Sequence, residues 1–196
     1  MIIGKKLEDM EVEAYFPEKD TIEKLRLSDY RGKWLVVLFY PADFTFVCPT
    51  ELADLASVYP DIKELGGEAI SVSTDTAFVH KAWKEAESLL KNVSYPMVAD
   101  PLGKLSRQFE VYDENTGLAL RGVFIISPEG EVKSVDITLY DVGRNMGEVL
   151  RRLKAFKYVE EHPGAACPAR WDEGKKAIEV SLNIVGKVGK YMRKRK

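Results

Sequence analysis

The 196-residue sequence predicts an α/β fold, a central mixed β-sheet flanked by helices, and three observations carry that expectation. Residues 34–40 form an all-apolar run, as a strand buried on both faces should. Apolar runs then alternate with helical patterns, the signature of a sheet covered by helices. Residues 118–126 and 131–138 flank the turn Ser127-Pro128-Glu129-Gly130, whose residue types preset turn dihedrals, so an antiparallel hairpin joins the pattern.

In chain order, residues 11–30 read as a β-hairpin region ahead of the 34–40 strand. Leu52, Leu55, Tyr59, Ile62 and Leu65 then recur at spacings of three and four and stop at Gly66-Gly67, which makes a helix lying on the sheet. Pro60 inside it is expected to kink or break it, because proline lacks a backbone donor and crowds the preceding turn. A strand at 68–73 precedes a helix at 76–91, with Phe78, Ala82, Trp83, Ala86 and Leu90 toward the core. A short strand near 96–99, the hairpin, and a last helix at 144–160 complete the domain. His162-Pro163-Gly164 separates this domain, residues 1–161, from an extension at 162–196.

Composition narrows the function. With 45% apolar and 31% charged residues, the chain reads as one compact soluble domain or slightly more. Folding at this length buries roughly 70% of the unfolded chain's surface, so neither disulfides nor structural metal are needed for a core. The longest apolar run, residues 34–40, is far short of the ~20 residues of a membrane span, and the N-terminus lacks a signal-peptide core. The expectation is a cytoplasmic protein without membrane partners. The net charge of -2 is asymmetric: residues 187–196 hold six basic groups and no acid, leaving 23 basic against 31 acidic groups elsewhere. An acidic body repels phosphate, so the tail reads as a solvated, partly disordered end and not as a nucleic-acid site.

Two cysteines, Cys48 and Cys167, stand 119 positions apart, with no CxxC or zinc-knuckle spacing. His80 and His162 are too scattered to complete a metal set and read as surface histidines. Cys48 is the informative one. It sits where the 50s helix begins, Pro49 suits the first helical position, and Glu51 falls in the first turn where carboxylates are favoured. A cytosolic cysteine is ordinarily a small buried hydrophobe, but a helix N-terminus stabilises a thiolate. An ordinary thiol of pKa ~8.5 is only about 3% ionised at neutral pH, and a helix end supplies roughly 0.3 to 2 kcal/mol. A cation is therefore needed. Arg121, a charge on an otherwise apolar strand, is the candidate, since arginine is rarely buried unpaired.

The string Tyr40-Pro41-Ala42-Asp43-Phe44-Thr45-Phe46-Val47-Cys48-Pro49-Thr50-Glu51 resembles the active-site segment of the typical two-cysteine peroxiredoxins. His162-Pro163-Gly164-Ala165-Ala166-Cys167-Pro168-Ala169-Arg170-Trp171 resembles their resolving-cysteine segment. Val98-Ala99-Asp100-Pro101-Leu102-Gly103 and Arg121-Gly122-Val123-Phe124-Ile125-Ile126 resemble the bacterial alkyl hydroperoxide reductase C branch. The resemblance covers nearly the whole chain. Ala166 departs from the valine common in the family, which should alter only local packing.

The resemblance implies a thioredoxin-like fold whose C-terminal extension carries the second cysteine. It implies that Cys48 is the peroxidatic thiolate, that Arg121 donates to it and to the peroxide, and that Thr45 hydrogen-bonds the peroxide. Pro41 shields the sulfur, Glu51 orients the arginine, and Cys167 of a partner chain resolves the sulfenic acid into a disulfide. Hydrogen peroxide and alkyl hydroperoxides are the implied substrates, with no cofactor or metal. A thioredoxin-like protein or a dedicated flavoprotein recycles the disulfide, and the homodimer assembles into a decameric ring. Phe44, Phe46 and residues 74–78 match positions used between dimers. Peroxide-sensitive members carry a Gly-Gly-Leu-Gly loop and a Tyr-Phe pair on an added C-terminal helix, where this chain reads Ser88-Leu89-Leu90-Lys91-Asn92-Val93-Ser94-Tyr95 and Tyr191-Met192. A holdase chaperone or ring lacking turnover, and a pure peroxide sensor, are the competing readings, and nothing in the residues argues for loss of catalysis.

Overall fold

A computed structural model describes residues 1–193. The chain divides into two compact units, residues 1–147 and the segment from residue 148 onward.

In the first unit, β1 (Glu11–Phe16) and β2 (Thr21–Arg26) form the expected hairpin. β3 (Trp34–Phe39), α1 (Cys48–Glu64), β4 (Gly67–Ser73), α2 (Ala77–Ala86) and β5 (Met97–Ala99) then build the βαβ core. After α3 (Lys104–Gln108) and the small pair β6 (Tyr112–Asp113) and β7 (Leu118–Ala119), β8 (Arg121–Ile126) and β9 (Val132–Thr138) close the sheet. Among the described residues the large sheet has seven strands in the order β2-β1-β5-β4-β3-β8-β9. β3, β4 and β5 run parallel, and the remaining joins are antiparallel, so the sheet is mixed as predicted.

β3 lies inside the sheet with every residue buried, which is why its sequence has no polar face. Its partner β8 fixes the site: Leu38 pairs with Val123, so Arg121, two residues earlier, stands at the sheet end where β3 gives way to the Cys48 loop. Behind it Phe39, Phe109 and Phe124 pack with ring centroids 4.8 to 5.7 Å apart.

Several expectations need correction. Pro60 does not end α1, which runs unbroken past it; the ring lies on the exposed face, where water can serve the carbonyl that loses its donor. The helix predicted at 76–91 is α2 followed by a separate 3-10 turn at Ser88–Asn92, and its buried face is Ala77, His80 and Trp83. Phe78, Ala82 and Ala86 are not part of that buried face. His80 sets this phase and is fully buried, not a surface histidine. The strand predicted at 118–126 is divided at Leu120 into β7 and β8.

The second unit contains most of α4 (Met146–Glu161), with β10 (Ala165–Ala166) paired antiparallel to β11 (Ile178–Glu179), and α5 (Val188–Arg193). By contacts α4 therefore goes with the segment that follows it, because Arg151, Lys154 and Tyr158 all hold residues of that segment. Where a partly disordered end was expected, residues 188–193 are helical: Lys176 Nζ donates to the Tyr191 carbonyl at 2.8 Å and stands 3.7 Å from its ring centre. Lys194, Arg195 and Lys196 of the basic run lie outside the described residues. Among the described residues no helix is long and apolar enough to cross a membrane.

Candidate active site

β3 leads through Tyr40 and the buried Pro41 into the loop that delivers Cys48. Asp43 anchors this loop. It accepts from the Tyr40 hydroxyl at 2.7 Å, meets His80 Nδ1 at 2.7 Å, and its amide donates to Asp75 at 2.9 Å. His80 Nε2 lies 3.0 Å from the Val98 carbonyl, which only accepts, so that nitrogen is assigned a proton and one further proton lies between Nδ1 and Asp43. Burial pushes the Asp43 carboxyl up, opposed by His80 and Tyr40. Phe44, beside it, is held at φ 55°, a left-handed conformation a phenylalanine rarely adopts, so the loop carries strain.

Cys48 opens α1 and is fully buried. The helix N-terminus expected to favour a thiolate does not offer its sulfur the next three amides. Pro49 has no N–H, and the amides of Thr50 and Glu51 bond the Val47 carbonyl at 3.1 and 3.3 Å. The Arg121 guanidinium supplies the positive charge instead. Its Nη1 stands 3.4 Å from Cys48 Sγ and 2.6 Å from Glu51 Oε2, while its Nε donates to the Tyr140 carbonyl at 2.6 Å. Burial opposes the Arg121 charge, but the Cys48 sulfur and Glu51 outweigh it and hold the guanidinium above its ordinary value.

Glu51 is itself held by a residue that the sequence does not single out. Arg144 donates to it through its backbone amide at 2.8 Å, Nε at 2.7 Å and Nη2 at 2.9 Å. Burial works to raise the Glu51 carboxyl, and Arg144 with Arg121 overcomes that and keeps it below the usual carboxylate range. Arg144, expected to open the last helix, sits instead in the connecting segment ahead of α4, 93 residues after Glu51 in the chain. Its neighbour Gly143 is the available signal: a Cβ there would lie 3.2 Å from Val47 and 3.6 Å from Glu51, so the backbone must pass close to the site.

The structure thus brings Cys48, Glu51 and Arg121 together. Thr45, half-buried in the same loop as Pro41, gives its hydroxyl proton to the Ala42 carbonyl at 2.7 Å, so its lone pairs are what it offers to a ligand. Cys167 lies in the second unit, with Sγ 3.7 Å from the Ala155 carbonyl. Both cysteines are free thiols. Burial raises the Cys167 thiol, against the pull of the Arg151 charge. Among the described residues no group of three His, Cys, Asp or Glu side chains is placed to hold a metal.

Such an arrangement presents sulfur as its reactive atom, and the class it defines is that of thiol-based oxidoreductases built on a thioredoxin-like sheet. The AhpC/TSA family matches residues 3–135, and the C-terminal domain of 1-Cys peroxiredoxin matches residues 155–189. The chain belongs to the AhpC/TSA family and is a peroxiredoxin, a thiol-dependent peroxidase. It is 45% identical over 187 residues to alkyl hydroperoxide reductase C of Staphylococcus epidermidis, spanning 95% of this chain and 99% of that one. Identity to alkyl hydroperoxide reductase C of Amphibacillus xylanus is 46% over the same shares. Among solved structures, AhpC of Enterococcus faecalis superposes with a TM-score of 0.81 at 46% identity, covering 85% of this chain and 99% of its own. Reduced 2-Cys peroxiredoxin of Plasmodium vivax gives 0.85 at 29% identity, covering 90% and 92%.

Proposed function

We propose that this chain reduces hydrogen peroxide and organic hydroperoxides through Cys48 and passes the oxidation to Cys167 of a second copy. The Cys48 thiolate attacks the terminal peroxide oxygen; the S–O bond forms as the O–O bond breaks, and the departing oxygen leaves as water or an alcohol after taking a proton. Arg121 and the Cys48 amide stabilise the charge that moves along the O–O axis. Thr45 accepts from the peroxide hydroxyl and orients it, Pro41 keeps water off the sulfur, and Glu51 fixes Arg121. The Cys167 thiol then attacks the sulfenic sulfur, the S–O bond breaks, and its hydroxyl departs as water with the proton the thiol gave up. Residues 1–161 carry the peroxide chemistry in this reading, and 162–196 deliver the second sulfur.

One observation carries the proposal: Arg121 is shared between the buried Cys48 sulfur and Glu51 at the start of α1. A thioredoxin-like protein or a dedicated flavoprotein returns the disulfide to thiols in the cytoplasm, and the peroxidase itself is a homodimer that assembles into a decameric ring. The role is antioxidant defence. A non-reducing gel of peroxide-treated protein tests it: covalent dimers form, and Cys48→Ser or Cys167→Ser prevents them. A faster-migrating monomer, the mark of a bond within one chain, would refute the pairing between subunits.

A further inference from the structure

We infer that Arg151 is a positioning residue for the second half of the cycle: it seats the Cys167 segment on α4 and supplies the positive charge beside which Cys167 ionises. The inference rests on the resolving role proposed for Cys167. Arg151 and Ala155 are one turn apart on the same face of α4. Cys167 Sγ lies 3.7 Å from the Ala155 carbonyl, and Arg151 Nη1 donates to the Trp171 carbonyl at 2.6 Å, so both ends of residues 167–171 are tied to that face. The buried Trp171 ring completes the seat, 5.0 Å from Tyr158, with its Nε1 bonded to the Lys175 carbonyl at 3.1 Å.

Other titratable groups around this seat have partners of their own, His162 Nδ1 at 2.8 Å from the Tyr158 carbonyl among them. On α4, Glu148 takes Arg151 Nε and Nη2 at 2.6 and 2.9 Å and Arg152 at 2.9 Å, which leaves the Nη1 side of Arg151 turned to the Cys167 segment. Lys154 pairs with Glu173 at 2.9 Å. On the segment itself, Lys175 donates to the Arg170 carbonyl at 3.3 Å, and Asp172 acts on Arg151. Arg151, one turn from the Ala155 carbonyl that meets the sulfur and bonded to the Trp171 carbonyl of the same segment, works against the burial that raises the Cys167 thiol. This is the resolving-side counterpart of Arg121, except that the Cys167 cation must let its segment go when the disulfide forms.

Because the chain has two cysteines, Cys48→Ser leaves Cys167 as its sole thiol and lets its ionisation be read without turnover. The experiment measures the rate of Cys167 alkylation by iodoacetamide from about pH 6 to about pH 10 in the full-length Cys48→Ser protein, alone and with Arg151→Gln or Arg151→Lys. A thiolate near an opposite charge is favoured, and one pKa unit is a tenfold change. Arg151→Gln is expected to move the midpoint upward and slow alkylation at neutral pH by about three- to tenfold, with the rates converging at high pH. Arg151→Lys, which keeps the charge, is expected to keep the midpoint. A uniform rate change would reflect only a loosened segment, so an unmoved midpoint in Arg151→Gln, or an equal shift in Arg151→Lys, overturns the inference. If Cys167 does not resolve Cys48, no Cys48–Cys167 disulfide forms in chains retaining both cysteines, whatever the alkylation midpoints show; the two failures are thereby distinct.

Discussion

Arg121 Nη1 lies 3.4 Å from Cys48 Sγ and 2.6 Å from Glu51 Oε2, so one guanidinium nitrogen serves a sulfur and a carboxylate together. Arg144 holds the same carboxylate through both of its oxygens. Two buried guanidiniums therefore face one carboxylate, and a thiolate at Cys48 brings the four groups to zero net charge. The loop and helix around them hold the donors in place before peroxide arrives, which is where electrostatic catalysis draws its strength.

In the proposed mechanism Arg121→Ala removes both a counterion and a transition-state donor. Losing one such donor commonly costs on the order of a hundred- to a thousandfold in rate. The expected result is a loss of that order in peroxide attack, read by rapid mixing, that persists at about pH 9. Recovery of the full wild-type rate at that pH would limit Arg121 to promoting ionisation.

Glu51→Gln breaks a buried ion cluster and leaves two guanidiniums without their carboxylate, a change that typically costs about 3 to 5 kcal/mol. Denaturant unfolding at neutral pH should show a loss of that order. The pH dependence has a definite sign. The folded Glu51 carboxyl lies below its ordinary value of 4.5, so its contribution is present above that value and is lost as pH falls through the lower, folded one. The wild type should therefore lose stability in acid more steeply than Glu51→Gln, and parallel acid limbs for the two proteins would contradict the role given to Glu51.

Most of this site is legible in the sequence, and the parts that are not share a physical reason. The strand at 34–39 stands out because burial on both faces leaves no polar position in it. Cys48-Pro49 marks a helix start through local chemistry, and Arg121 is a charge that an apolar strand must explain. Arg144 acts by reaching back to Glu51 from an irregular segment, so only tertiary structure reveals it. Treating His80 as a surface residue shifts the expected buried face of α2 onto Phe78 and Ala82; Ala77, His80 and Trp83, three apart, mark the true face once a satisfied histidine is allowed in a core. β6, β7 and α3 are too short to show a period.

Resistance to inactivation by peroxide should follow from the same geometry. Cys48 is fully buried, so a disulfide with Cys167 requires the first turn of α1 to open. That turn is fastened at the Val47 carbonyl by the amides of Thr50 and Glu51 and the Thr50 hydroxyl, and at the Glu51 carboxylate by Arg121 and Arg144, so opening it means releasing both. Where peroxide-sensitive relatives carry their glycine-rich loop this chain has the 3-10 turn Ser88–Asn92, and Met192 follows Tyr191 in α5. The disulfide should outpace further oxidation, so mass spectrometry of Cys48 at rising peroxide should show little sulfinic acid. Its accumulation at the low doses that inactivate sensitive relatives would show that the turn opens slowly.

Whether Cys48 is the nucleophile is decided by peroxide consumption of purified Cys48→Ser protein, compared with wild type and Cys167→Ser under a disulfide reductant that cannot reach a sulfenic acid. Cys48→Ser is expected to consume no peroxide, Cys167→Ser to consume one equivalent per chain and then stop, and wild type to turn over continuously. Turnover near the wild-type rate in Cys48→Ser would contradict the mechanism.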